Sequence, residues 1–500
     1  MSETAAFPLP FLVERRVSVT PVRTLRELAM MQLSALIRGK PDWQVKMNDP
    51  QIVAKWTREA GEQGMTQAQI SYVLAELAYY AERRDERTGI EVSGVDGVWQ
   101  SDVLIDDELR SRLREAVRVL EDVPDADRDW HPGSDGQVLD LVHPSMFCLV
   151  RGVSRPDGST WPSLGKDEAR YALSDKFQWL PTDVEVGKNG DAVFLSYVNN
   201  LHPAAHRELE SVLPVLFGRM RPLFENVLTD LRHPRPVRIE ADPFSWYDEP
   251  VRPSHDEGAD GDDAERAREE ETYDWEANRS PVPIPPDAPA FTPPALPGDF
   301  ARVDLRGRRL QVIVKLATIH LTPGKPQYPG GGWHVEGMMN ERVVSTGIYY
   351  WDSENITESR LSFRAAIDDP RYEQSDHQGL RDVYGLNDQD ALNQVLGSAE
   401  TRAGRALAFP NILQHRVGPF RLADPSRPGH RKILAFFLVD PSVTIVSTSD
   451  VPPQQPWSAT STMTLEQAGE FRSQLMQERK FFVDEHNQDV YEREFSLCEH

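Results

Sequence analysis

The sequence predicts an α+β protein in which a strand-rich C-terminal region, an antiparallel sandwich or jelly roll, follows a helical and mixed N-terminal region. Three observations carry that prediction. Apolar residues recur at helical spacing behind capping signals through about the first 120 residues. An acidic stretch and then a proline-strewn one interrupt the chain between Asp256 and Pro297. From Arg302 onward, β-branched and aromatic runs follow one another with no helix alternating between each pair, which favours antiparallel strands over a doubly wound sheet.

The elements follow in order. Asp49-Pro50 sets a cap residue before a proline at the first helical position, with Ile52, Val53 and Trp56 on one face. Thr66 and Gln69 have capping-box spacing, and Ile70, Val73, Leu74, Leu77 and Ala81 then form an apolar stripe. Leu109, Leu113, Val117 and Leu120 repeat the pattern. Between Trp130 and Trp246 the pattern is mixed: GQVLDLVHP and AVFLSYVNNLHP read as short strands ending at proline. A helix over 206–231 follows, interrupted near Pro214 and Pro222. Over 256–276 acidic residues outnumber the arginines Arg266 and Arg268, and 280–297 is proline-rich, so this reads as a linker or surface excursion kept solvated by charge. Strands are expected at 311–319, 342–351, 360–363, 405–409, 415–419 and 432–439, with a helix inserted at 388–399. A last helix over 464–489 opens on the capping box Thr464 and Gln467 and turns Phe471, Leu475 and Met476 inward. The expected regions are therefore 1–125, mainly helical; 126–250, mixed; 251–300, the acidic and proline-rich linker; 301–445, the β core; and 446–500, a helical segment.

Composition narrows the functional classes. Five hundred residues exceed what one core usually organises, and eleven tryptophans supply large apolar anchors. A formal charge of −24 repels nucleic acid and anionic membrane surfaces, so neither is expected as a partner. The two cysteines, Cys148 and Cys498, lack the close spacing of a zinc knuckle or redox pair, which fits a reducing cytoplasm. The opening MSETAAFPLPFLVERR lacks the basic start and long apolar run of a secretory signal, and no later stretch has membrane-spanning length. A cytoplasmic protein is expected.

The chemistry concentrates in GGGWHVEG. His334 and Glu336, two apart in an extended segment, project to one side and can share an ion. Two histidines and one carboxylate are the ligand set of a mononuclear non-heme iron(II) centre with open positions. The third ligand must come from a non-local strand, and His415 sits at the start of one in FPNILQHRVGP. No second histidine follows His334 at helical spacing, so the zinc-protease pattern is absent.

The order of strand, glycine-rich turn, His-x-Glu, aromatic strand, Gly-led strand ending in Phe-Pro, His, and then Gly-His-Arg before a long apolar strand resembles the double-stranded β-helix of the iron(II)/2-oxoglutarate-dependent dioxygenases, in particular the prolyl-hydroxylase-like branch. The resemblance spans 311–440. It implies His334, Glu336 and His415 as catalytic metal ligands, and Arg431 in PGHRKILAFF as the residue pairing with the far carboxylate of 2-oxoglutarate, a task that suits a planar, permanently charged guanidinium. Most members of that superfamily carry Asp where this chain has Glu336. Iron(II), 2-oxoglutarate and O2 are the implied cofactor and co-substrates, with succinate and carbon dioxide released. Hydroxylation of a small molecule, an amino-acid derivative or natural-product intermediate, is the default outcome, and desaturation, epoxidation or ring formation would use the same residues. A second resemblance is nearly chain-long: WHPGSDGQVLDLVHPS, FQWLPTDV, SYVNNLHP and WHVEGMMNERVVSTGIYYWDSENITESRLSF look like a large fungal and bacterial family known mainly as a domain of unknown function.

His320 comes too early in the strand order to replace His415 and is expected to be structural or pocket-lining. His430 and Arg416 should face away from Arg431 and His415 by strand alternation. Tyr349, Tyr350 and Trp351 read as core with a pocket-lining alternative; Lys315 as an edge or solvent-facing lysine, with holding a carboxylate as the alternative. Asn199, Asn200 and His202 read as turn formers before Pro203 or as substrate contacts, and Trp130-His131-Pro132-Gly133 stays outside the site. Two competing functions remain at this point: a non-catalytic protein whose jelly roll binds a small ligand, and a metal-dependent oxygenase of cupin type that does not use 2-oxoglutarate. Cupin-like sites commonly carry further histidines near the first, and GGGWHVEGMMN has none.

Overall fold

The computed structural model describes residues 7–11, 19–154, 161, 170–248, 266, 272–275, 282–294, 302–373 and 376–497. Cys498, Arg268 and most of the 251–300 stretch lie outside them. The architecture is α+β around a nine-stranded antiparallel sheet. Across it run Glu91–Val92, Trp99–Ser101, Ala406–Pro410, Val343–Glu354, Gly429–Val439, Arg309–Leu321, Thr182–Val186 and Ala192–Phe194, with Val138–Val142 also paired to Arg309–Leu321. A second sheet of three strands, Asn393–Glu400, Arg360–Ala366 and Gln414–Val417, carries His415. Strands from both sides of the 251–300 stretch thus share one sheet.

Alternation along the central strands decides what each face meets. Val312, Val314 and Leu316, with Leu434, Phe436 and Leu438, pack into the cluster around the Arg207–Arg232 helix. Ile313, Ala435 and Phe437 turn the other way, into a second cluster with Phe363 and Leu361 of the three-stranded sheet. The candidate site lies on that second side, because His415 pairs with Phe363 in register.

Several helices begin where local chemistry says they should. Asp49 caps Pro50–Glu62 through Gln51 N–H, and both capping boxes, Thr66 with Gln69 and Thr464 with Gln467, are formed. The helix expected to break near Pro214 and Pro222 instead runs without interruption from Arg207 to Arg232. Each internal proline costs a backbone hydrogen bond, about 3 kcal/mol in an isolated helix. The buried stripe from Leu209 to Leu228 offsets it, with packing so close that a Cβ on Gly347 would meet Phe224 at 2.5 Å.

The helix expected at 388–399 is also corrected. That region forms the strand Asn393–Glu400 along Arg360–Ala366, and the helix lies earlier, at His377–Tyr384. Gln394 and Leu396 are buried while Val395 is exposed, a period of two that pairing enforces over helical propensity. Within the interrupting stretch, 282–294 packs on the N-terminal helices: Phe291 stands edge-on to Tyr72, and Asp287 accepts from Thr66 and Gln69.

Candidate metal centre

A glycine turn delivers the first histidine. Gly330 has φ +95°, and a Cβ there would meet the Val417 carbonyl oxygen at 2.8 Å, so only glycine lets the turn lie this close to the Gln414–Val417 strand. Gly331 N–H donates to Val417 O at 3.0 Å, and His334 and His415 then form an isolated antiparallel bridge. Asn411, fully buried, clamps the next step. Its Oδ1 accepts Glu336 N–H at 2.8 Å, and its Nδ2 donates to the carbonyls of Glu336 at 2.9 Å and Val343 at 3.0 Å.

These contacts bring His334, Glu336 and His415 together, with one ligand atom from each lying within 4.8 Å of the others. Glu336 Oε1 is 3.3 Å from His415 Nε2 and 3.8 Å from His334 Nε2. His334 Nδ1 lies 3.0 Å from Gly332 O, a contact in which Nδ1 carries the proton and the Nε2 lone pair turns to the carboxylate. The His415 ring rests on Phe409, 4.7 Å between centroids, and its buried Nδ1 has no hydrogen-bond partner among the described residues. Burial would raise the Glu336 carboxyl, but the hydrogen bond from His415 and the charges of both histidines outweigh it and hold it at about 2. Burial, reinforced by His415, lowers His334 to about 4. At neutral pH the set therefore offers an anionic carboxylate and a neutral His334 imidazole, the protonation a cation requires.

Arg431 is 2% exposed, on the face of the last strand that also carries Ala435 and Phe437. Its Nη1 donates to Ser359 Oγ at 2.6 Å and Thr401 Oγ1 at 3.2 Å, and the guanidinium lies over the rings of Tyr350 and Phe420. Its buried Nε has no partner, and among the described residues no carboxylate forms a salt bridge with it. Burial lowers its pKa, the mark of a buried cation lacking a counter-ion.

The remaining candidates fall elsewhere. His430 faces away from Arg431 and meets Asp352 at 3.2 Å; Arg416 is exposed over Trp333. His320 stands against Trp130, with burial lowering it to about 4. Tyr349, Tyr350 and Trp351 are all buried, with Tyr350 beneath Arg431. Lys315 is not on an edge: its strand pairs on both sides, the side chain is half-buried, and its charge is felt by Glu336, His334, Asp140 and His143. Asn199 and Asn200 hold the carbonyls of Met146 and Phe147, and the His202 ring lies on Trp457 while its Nδ1 accepts from Ala204 N–H. They form a turn and do not line the cavity at the centre.

That cavity, about 250 Å³, reaches His334 and Glu336. The helix Leu465–His486 forms one wall through Met476, Phe482 and Val483; Tyr171 and Trp179 form another. A larger cleft of about 770 Å³, between the Leu25–Arg38 helix and the Asn393–Glu400 strand, contains none of these residues. Sequence reasoning missed Asn411, Ser359 and Thr401, which carry no motif; it set His131 aside and passed over Asp140 and His143, although the fold brings one ligand atom from each of the three within 4.8 Å of the others and their spacing in HPGSDGQVLDLVH was open to notice.

No helix among the described residues is long and apolar enough to cross a membrane. None of the curated proteins matches the chain. Solved structures give distant likenesses. A bsmA homolog from Methylobium petroleophilum has 16% identity over 26% of this chain and 42% of its own, with a TM-score of 0.17. The Fe(II)/(alpha)ketoglutarate-dependent dioxygenase TqaL has 10% identity over 70% and 81%, with 0.29. The dioxygenase for auxin oxidation in rice has 10% over 69% and 73%, with 0.26. The chain spans less than half of the first of these, and scores this low leave the chemistry to rest on the chain's own geometry. Family models match residues 67–461, as a protein of unknown function (DUF4246), and residues 1–59, as the N-terminal domain of the same name, so the chain belongs to the DUF4246 family.

Proposed function

We propose that this chain is an iron(II)- and 2-oxoglutarate-dependent oxygenase acting on a small molecule, its core a C-terminal double-stranded β-helix over 301–445. The helical 1–125 and mixed 126–250 regions would then wall the mouth of that core, and the cytoplasm would be its compartment. The observation that carries the reading is Arg431, a buried guanidinium bonded to two hydroxyls and, among the described residues, to no carboxylate. An unpaired buried cation is costly, and a dicarboxylate co-substrate supplies the missing partner. His334, Glu336 and His415 fit a divalent ion by donor type, by proximity and by protonation.

Each residue then has a task. His334, its tautomer set by Gly332 O, and His415 would hold the metal with Glu336, and Asn411 keeps the Glu336 backbone in place. Arg431 would bind the far carboxylate of 2-oxoglutarate, with Ser359 and Thr401 orienting its fork. Bound iron would supply the oxidising power, consuming O2 and 2-oxoglutarate to oxidise a C–H bond with release of succinate and carbon dioxide. The apolar wall of Phe482, Val483 and Met476 would keep water from the reacting atoms. A small amino-acid derivative or natural-product intermediate suits a cavity of about 250 Å³.

The test is anaerobic addition of iron(II) and 2-oxoglutarate, read as the visible charge-transfer band of the chelate and then as succinate on admitting air. His334→Ala or His415→Ala should abolish the band, and Arg431→Ala should weaken it. Iron binding with no 2-oxoglutarate band rejects the mechanism, and no metal binding at all favours a non-catalytic ligand-binding protein.

A further inference from the structure

Two histidines that border the cavity beside His334 form, with a buried carboxylate, a second set that the oxygenase reading does not use. His131, Asp140 and His143 each present a ligand atom, all within 4.8 Å of one another, and both histidines line the cavity that reaches His334 and Glu336. Local structure assembles them. The turn through Gly133 and Gly136, both at positive φ, folds His131 back so that its N–H donates to Val138 O at 2.8 Å. The strand Val138–Val142 carries Asp140 and leads into His143.

Asp140 makes this set more than a chance grouping. Its side chain is 1% exposed; Oδ2 lies 2.8 Å from His131 Nδ1, and Oδ1 is buried with no hydrogen-bond partner among the described residues. Arg472 approaches Oδ2 only to 4.0 Å and is committed to Asp129 at 2.6 Å. Lys315 reaches Asp140 electrostatically but, among the described residues, makes no hydrogen bond to it. A buried carboxylate oxygen left empty is costly unless something binds it. An imidazole pair with a carboxylate selects borderline divalent ions such as zinc, iron(II) or cobalt(II). The Ser145 N–H donates to His143 Nδ1 at 3.2 Å, a long contact against which an ion would compete.

We propose that His131, Asp140 and His143 form a second site for a divalent transition-metal ion, opening on the cavity shared with His334 and Glu336. The proposal stands whether or not the first centre is an oxygenase.

Cobalt(II) titration of chelator-stripped protein, read by its visible bands and by elemental analysis, tests it. The wild type should take up two equivalents. His334→Ala/His415→Ala should keep one equivalent, and adding Asp140→Asn to that variant should weaken the remaining site at least ~10-fold. Asp140→Asn keeps the volume and the acceptor for His131, and far-UV circular dichroism checks that it folds. A His334→Ala/His415→Ala protein that folds and binds no cobalt overturns the second site, leaving a hydrogen-bonded His-Asp-His group. One equivalent in the wild type, lost with Asp140→Asn and kept in His334→Ala/His415→Ala, upholds the second site and removes the first.

Discussion

His334 and His415 exchange both backbone hydrogen bonds, at 3.2 and 3.0 Å, as an isolated bridge that sets their rings 4.3 Å apart, tilted by 50° to each other. In an antiparallel pair, directly opposite residues point to the same face, so two imidazoles far apart in sequence are registered by main chain. The bridge depends on Gly330. Gly330→Ala adds a Cβ at 2.8 Å from Val417 O on a backbone of φ +95°, which should push the turn off the strand. The expected outcome is a loss of about 1 kcal/mol or more in urea unfolding and a ~10–100-fold loss of cobalt(II) affinity, with His334, Glu336 and His415 all still present. Unchanged affinity would show that the ligands find each other without the bridge.

Asn411 offers a second handle that leaves the ligands intact. Its amide satisfies Glu336 N–H and two carbonyls in a fully buried position. Asn411→Ala should cost about 1–3 kcal/mol because those groups lose their partners out of reach of water. Asn411→Asp should be worse at neutral pH, since a carboxylate replaces the Nδ2 donor against the carbonyls of Glu336 and Val343. Denaturant midpoints with metal titration separate the two variants from wild type, and equal stability of the aspartate variant would count against the clamp.

Arg431 should show a conflict between stability and binding. Replacing an unpaired buried cation by an apolar side chain of similar length removes a desolvation penalty. Ser359 and Thr401 remain bonded to each other at 2.8 Å after its loss. Arg431→Met should therefore melt at or above the wild-type temperature without 2-oxoglutarate. It should also lose the stabilisation that 2-oxoglutarate, bound as proposed, would give metal-loaded wild type, about 2.7 kcal/mol at a hundredfold excess over Kd. A variant still stabilised by 2-oxoglutarate would require another anchor.

What the sequence makes legible is what local chemistry or a short period controls. The capping boxes at Thr66 and Thr464 need only four residues each, and both form. The α+β class and the large antiparallel sheet follow from period-two runs after Arg302. The proximity of His334, Glu336 and His415, as distinct from their role, is legible because strand order constrains which ends can meet. Illegible features are those that depend on non-local partners. ALNQVLGSAE supports either period, and pairing with Arg360–Ala366 decides for strand. Pro214 and Pro222 read as breaks until the sheet beneath the helix is known. Asn411 after Phe-Pro reads as a turn, and the lack of a carboxylate paired with Arg431 among the described residues is invisible before the fold is built.

His486 makes the stability depend on pH with a definite sign. The ring is 3% exposed on the cavity wall, its Nε2 lies 2.9 Å from Pro10 O, and burial lowers it to about 4 from an ordinary value of 6.5. Below pH 6.5 the unfolded chain takes up a proton that the native ring refuses, so stability rises with pH through this window. The contribution is fully present above about pH 6.5 and is lost as pH falls toward about 4, where the native ring also protonates. Its full size is about 3 kcal/mol at most, from 1.36 kcal/mol per pKa unit. His486→Gln retains a donor for Pro10 O and removes the titration. The difference in unfolding free energy between wild type and this variant should therefore be constant from pH 6.5 to 8 and move against the wild type by 1–3 kcal/mol toward pH 4.5, at about 1.36 kcal/mol per unit. Urea midpoints at half-unit steps measure it, and a difference that stays flat across the window would mean that the native ring accepts its proton as readily as the unfolded chain.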